Sequence, residues 1–308
     1  MELCRSMPKP SVSRRAPPAA DVALFDTYSL LFRAFHALPR MSTSQGIPTS
    51  ALYGFCAMVI KVLREHGPRA LSFAVDAPAR TFRHQRYADY KAGRAKAPSE
   101  LSAQLERLPA LLDAFGVPVF CVPGFEADDV LATLARRLTA EQRTVLIVSG
   151  DRDLMQLVDP RTNVLFIGRR GRDATLFDAP AVEARFGLPP TRLPSWTALV
   201  GDASDNLHGV AGIGPRTATE LVLEHGGIPA LLSNLERVAA PKLRDALAKA
   251  ADRLRLNEDL ARLRDDVPLA TGPLAGPLTS EALARLRTAF EELEFKSLVP
   301  RLERLGIS

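Results

Sequence analysis

The sequence is poor in cysteine and has no long apolar run. Cys4, Cys56 and Cys121 are odd in number, far apart and never in a CxxC pair, which speaks against a disulfide framework and against a structural zinc site. A reducing, cytoplasmic setting is the expectation. No uncharged apolar stretch approaches the roughly 18 residues that span a membrane. Residues 1–20 (MELCRSMPKPSVSRRAPPAA) carry basic residues without the apolar stretch of an export signal. That segment reads as a disordered, proline-rich basic tail. Beyond it there is no internal repeat or long low-complexity segment.

Apolar material is ample: 308 residues at 46% hydrophobic content suit one large or two smaller domains with real cores. The net charge of +5 is modest, and the tail supplies +3 of it through Arg5, Lys9, Arg14 and Arg15 against Glu2. The remaining +2 is a weak sign of nucleic acid by itself. If nine particular acids share one metal-filled site, however, the rest of the body carries +11, a plausible phosphate-binding surface.

Those acids emerge from the strand pattern. Short apolar runs alternate with longer helical segments, the signature of βα units around a mainly parallel sheet. The runs are Val22 to Phe25, Leu71 to Val75, Val117 to Val122 and Thr144 to Val148. Each is soon followed by acid: Asp26; Asp76; Glu126, Asp128 and Asp129; Asp151 and Asp153. In open α/β sheets the C-terminal strand ends line the ligand crevice, so these carboxylates are expected to converge there. Asp202 and Asp205 in GDASDN join them. An acid at a helix start is often only a cap worth about 0.3 to 1 kcal/mol. Three acids crowded into GFEADDVLA repel one another unless a cation lies between them. Nine carboxylates with no His or Cys beside them form a hard, all-oxygen donor set. It suits two Mg²⁺ ions, with Mn²⁺ as a substitute, and phosphoryl chemistry.

Two further stretches carry chemistry. Ala79 to Pro98 holds Arg80, Arg83, Arg86, Lys91, Arg94 and Lys96 with Phe82, Tyr87 and Tyr90 interleaved. Cations neutralise phosphates and rings stack on unpaired bases, so this segment is expected to be a mobile gate for single-stranded nucleic acid; a solvated basic helix is the plainer alternative. GVAGIGPRTA (Gly209 to Ala218) reads as a glycine turn feeding a helix with Pro215 in its first turn. Gly212, Gly214, Arg216 and Thr217 there present an anion site, or else a plain helix–helix turn. Beyond Asn163 to Ile167 no strand is expected, and the change to short helical segments places a domain boundary near residue 190.

FRHxxYxxYKAGR (Phe82 to Arg94), EADD, GDRDLMQL, GDxSDN and GIGPRTA together resemble the bacterial 5′-3′ exonuclease (flap endonuclease) family, best known as the N-terminal domain of bacterial DNA polymerase I. The resemblance runs from about residue 21 to the end. It implies an α/β, PIN-like nuclease domain over 21–190 with a helical arch near 79–98. A helix-three-turn-helix DNA-binding region, K⁺-binding in relatives, and C-terminal helices would occupy 191–308. It further implies Asp26, Asp76, Glu126 and Asp128 as one metal cluster and Asp151, Asp153 and Asp205 as a second, with Asp129 and Asp202 at the margin. Lys91 and Arg94 would meet the scissile phosphate, Tyr90 would stack beside them, and Arg33 and Arg83 would contact DNA. Thr27 stands where the family usually has glycine, which puts the backbone's approach to metal or DNA in doubt. The implied activity is cleavage of DNA 5′ flaps in replication and repair. A stand-alone monomer is expected, with a separate polymerase as partner, because Ser308 leaves no room for polymerase domains. A PIN-like ribonuclease and a non-catalytic branched-DNA module are the alternatives; an aspartyl phosphatase is disfavoured because Asp26-Thr27-Tyr28 lacks a second Asp.

Overall fold

The computed structural model describes residues 20–94, 96–168 and 173–306, so the expected basic tail lies outside the described residues except for Ala20. Six strands form one sheet: β1 (Val22–Asp26), β2 (Ala70–Ala74), β3 (Val119–Phe120), β4 (Val145–Ser149), β5 (Thr162–Ile167) and β6 (Ala174–Phe177). Their order is β3-β2-β1-β4-β5-β6, parallel as far as β5, with β6 antiparallel at the edge. The chain builds outward from β1 on one side and then crosses to β4 on the other. The switch point therefore lies between the ends of β1 and β4, where such sheets hold ligands.

Helices cover both faces, which is why the central strands are apolar on both sides. Within β1, Ala23 and Phe25 enter one core with α1 (Thr27–Ala37), α2 (Ser50–His66) and α5 (Leu108–Ala114); Val22 and Leu24 enter the other with α6 (Ala127–Ala140). α3 (Phe82–Arg86) and α4 (Ser99–Leu105) lie in the β2–β3 connection, and α7 (Ala179–Phe186) follows β6. A third core belongs to the second domain. That domain contains α8 (Leu193–Val200), the small hairpin β7 (Gly201–Asp202) and β8 (Leu207–His208), α9 (Pro215–His225), α10 (Ile228–Ser233), α11 (Pro241–Lys249) and α12 (Ala251–Ala261). The chain then returns to the first domain. Leu71 and Gly276 exchange backbone hydrogen bonds, and Leu286, Phe290 and Leu302 of α13 (Ser280–Glu292) and α14 (Val299–Glu303) join the core against α5.

Three expectations need correction. β6 and the small hairpin are strands where none was expected; β6 is a short edge strand whose run ATLF lacks the β-branched density of the central ones. Val117 to Val122 pairs only at Val119 and Phe120, because β3 is the opposite edge. The basic stretch is helical only at Phe82–Arg86 and continues in turns as far as Gly93. Among the described residues no helix is long and apolar enough to cross a membrane.

Candidate nuclease centre

A crevice of about 450 Å³ opens at the C-terminal end of the sheet, lined by Asp26, Asp76, Glu126, Asp128 and Asp151 together with Lys91, Arg94 and Arg33. Local hydrogen bonds aim several of these acids. Asp26 caps α1 by accepting from the Ser29 amide and also accepts from the Ser149 hydroxyl at the end of β4. Asp76 accepts from the Ala127 amide at 2.8 Å, at the N-terminus of α6. The Asp151 amide donates to Ser149 Oγ at 2.8 Å, and the Asp153 amide donates to Asp151 Oδ1 at 2.9 Å.

The acids are short of positive charge. Burial, with Asp76 and Asp151 nearby, pushes the Asp26 carboxyl up to about 7. Burial and the surrounding carboxylates raise Asp128 well above the usual range, and burial with Asp151 and Asp202 does the same for Asp153. The basic segment supplies part of the deficit. Lys91 Nζ donates to Glu126 Oε1 at 2.6 Å, and Arg94 Nη2 donates to Asp205 Oδ1 at 2.9 Å. Burial lowers both cations, but their carboxylate partners outweigh it and leave them above their ordinary values. Lys91 adopts φ 58°, a left-handed turn fixed where its amide donates to the Asp205 carbonyl at 3.2 Å. Among the described residues no three acid, imidazole or thiol groups close around one point as a finished cage. The all-oxygen donor set and its excess negative charge nevertheless fit hard divalent cations.

Four expected residues have other surroundings. Asp129 is fully buried, and both its oxygens are taken: they accept from Arg83 at 2.6 and 2.8 Å, from the Arg264 amide at 2.9 Å and from the Glu126 amide at 3.2 Å. It is therefore a capping and pairing acid that supports Glu126 from the margin and does not line the crevice. Arg83, buried against it, has no face for DNA. Tyr90 is buried too; its ring meets His84 edge-on and its hydroxyl points to Asp205 at 2.7 Å and Glu126 at 3.1 Å, so it offers no stacking surface. Asp202 accepts from Arg152 at 2.8 Å and from Ser204, bonds that outweigh its burial and lower its pKa.

Arg33 lines the crevice, donating to the Gly150 carbonyl. Gly212 (φ 84°) makes the expected left-handed turn, and Gly214 caps α9 with Pro215 next. Arg216 is exposed beside Glu220, and Thr217 is half-buried. Thr27 is fully buried at the start of α1, and its hydroxyl lacks a hydrogen-bond partner. Sequence reasoning passed over Ser149, Ser29, Arg152, Tyr28, Phe32 and His36, all in or beside the centre. Arg152 between two acids in GDRD was the one visible signal.

Comparison with known proteins identifies the family. Residues 21–187 match the family model for the 5′-3′ exonuclease N-terminal resolvase-like domain, and 188–285 match that for the 5′-3′ exonuclease C-terminal SAM fold. DNA polymerase I of Mycobacterium bovis is 40% identical over 295 residues, 95% of this chain and 32% of that protein. The thermostable DNA polymerase I of Thermus filiformis is 41% identical over 289 residues, 94% of this chain and 34% of its own. The chain thus spans about a third of the length of these relatives. Among solved structures, the bacteriophage T5 flap endonuclease in complex with DNA and metal ions superposes with a TM-score of 0.63 at 17% identity, covering 92% of this chain and 98% of that one. The catalytic core of Rad2 with a DNA substrate gives 0.59 at 17% identity, covering 92% and 93%. Those two likenesses concern the fold, a PIN-like α/β sheet domain followed by a SAM-like helical domain. The two family models and the polymerase relatives together establish that this chain belongs to the 5′-3′ exonuclease family of nucleases.

Proposed function

We propose that the chain hydrolyses DNA phosphodiesters at 5′ flaps, as a 5′-3′ exonuclease and flap endonuclease, in primer removal during replication and in repair. The supporting observation is the crevice in which Asp26, Asp76, Glu126, Asp128 and Asp151 face Lys91 and Arg94. Asp26, Asp76, Glu126 and Asp128 would hold one divalent ion and Asp151, Asp153 and Asp205 a second, Mg²⁺ being the natural choice. When bound, such ions polarise phosphate oxygens and lower the pKa of a water. The chain's own groups do the rest. Ser149 and the Ser29 amide orient Asp26, the Ala127 amide orients Asp76, and Lys91 and Arg94 bring positive charge to the phosphate as negative charge grows on it.

Gly212, Gly214, Arg216 and Thr217 would seat a duplex phosphate at the α9 N-terminus without reading bases, with K⁺ as a further ligand of that turn. A cytoplasmic monomer acting beside a polymerase completes the proposal. A labelled DNA flap compared with single-stranded RNA tests it. Mg²⁺-dependent cleavage of the flap alone supports the reading, RNA preference favours the ribonuclease, and flap binding without cleavage favours a non-catalytic module.

A further inference from the structure

Among the described residues the largest fully buried side chain is a cation, Arg83. Its guanidinium ties two further segments to the one that carries it. The fork grips Asp129 on α6, and Nη1 also reaches Glu126 Oε2 at 3.4 Å. Nε donates to the Leu260 carbonyl at 2.8 Å and Nη2 to the Arg262 carbonyl at 3.3 Å. Leu260 lies in the last turn of α12, whose carbonyls lack intrahelical donors and whose dipole favours a cation. A buried guanidinium persists only when fully paired. Here the pairing joins the base of the basic segment, the acid-bearing helix and the second domain.

α12 gives this junction its reach. Eleven residues make a rod about 16 Å long. Nearer its start, Arg253 donates to the Gly209 carbonyl at 3.2 Å, where the glycine turn begins. Asn257 donates to the Ala198 and His208 carbonyls at 3.3 and 3.0 Å, fixing the rod to α8 and β8. One helix therefore touches the glycine turn near one end and Arg83 at the other.

We propose that Arg83 is a positioning residue that couples duplex grip to cleavage, a claim that rests on the nuclease reading above. A duplex seated on the glycine turn holds α12. Through Arg83, α12 holds Glu126 and the segment bearing Lys91 and Arg94. Fast cleavage is then confined to junctions whose duplex is gripped, and preference for a flap over a free single strand is a property of this junction of three segments.

Full-length Arg83→Lys keeps the charge and loses the fork. Its single-turnover rate on a 5′ flap is expected to fall so much more than its rate on an unpaired strand that the flap-to-strand ratio drops about tenfold or more, while flap affinity in EDTA holds. An unchanged ratio would overturn the coupling. Weaker affinity with a salt slope reduced by about one would make Arg83 a phosphate contact instead, and would overturn it too. Should Arg83→Lys fail to fold by circular dichroism, Asn257→Ala loosens the rod without touching the acids or the basic segment. It is expected to lower the same ratio, and a wild-type ratio would refute the proposal. A plain duplex should also slow amide exchange over residues 82–94 in the wild type and not in the variant; equal slowing in both would refute the coupling. This last readout needs no cleavage, whereas a wild type inert on flaps in Mg²⁺ would sink the nuclease reading alone.

Discussion

Replacing Asp26 by Asn should stabilise the metal-free protein while destroying its proposed activity. Asp26 is 4% exposed and crowded by other acids, so the pKa of its carboxyl in the folded state rises from 3.8 to about 7. At 1.36 kcal/mol per pKa unit, the ionised folded state is then disfavoured by roughly 4 kcal/mol. Because the folded value lies above the unfolded one, this penalty is absent below pH 3.8, grows between 3.8 and about 7, and is fully present above that. In chelator, urea unfolding should therefore show the variant equal to the wild type near pH 4, or weaker by the roughly 1 kcal/mol of a perturbed Ser149 hydrogen bond. By pH 8 the variant should be more stable by about 3 kcal/mol, part of the gain coming from relief of Asp128. Millimolar Mg²⁺ should then raise the wild-type midpoint and leave the variant nearly unmoved. A variant no more stable than wild type at pH 8 in chelator would refute the argument that crowding and burial strain this centre.

Asp153→Asn should abolish flap cleavage, a loss of about 10³-fold or more, with flap affinity in chelator retained; near-normal turnover would remove Asp153 from the site. Lys91→Ala should slow the single-turnover chemical step about 10²-fold, and an unchanged rate would reduce it to a solvated cation. Asp129→Asn removes the closer charge partner of the buried Arg83, leaving Glu126 Oε2 at 3.4 Å, and should cost about 3 kcal/mol in urea unfolding, while the Mg²⁺ concentration for half-maximal cleavage stays put. A large shift in that concentration would return Asp129 to the metal ligands. Arg216→Ala should weaken duplex binding equally across sequences and lower the salt slope by about one, and a sequence-dependent loss would contradict phosphate-only contact.

The centre was legible in the sequence to the extent that its position follows from strand ends. A parallel strand buried on both faces must be an apolar run, and the acid that follows it must emerge at one edge of the sheet, so Asp26, Asp76 and Asp151 could be placed without coordinates; Glu126 and Asp128 reach the same edge at the N-terminus of α6, after the short edge strand β3. Asp129 could not be separated from its neighbours by pattern, because a cap and a ligand look alike in EADD. Its role depends on which side of α6 faces Arg83. Arg83 likewise resembles every other cation of a basic run, and only the approach of α12, some 177 residues later in the chain, buries it. The edge strand β6 and the return of α13 to the sheet domain were invisible for a related reason: weak local signals were decided by distant packing.

The acidic crevice is proposed to cut DNA at the foot of a 5′ flap. The measurement that tests this most directly maps the products of a doubly labelled flap incubated with the full chain in Mg²⁺ and, in parallel, in EDTA. Mg²⁺-dependent incision near the single-strand to duplex junction, leaving a 5′-phosphate and a 3′-hydroxyl, is the expected result. Cleavage that persists in EDTA, or an intact flap in Mg²⁺, would contradict it.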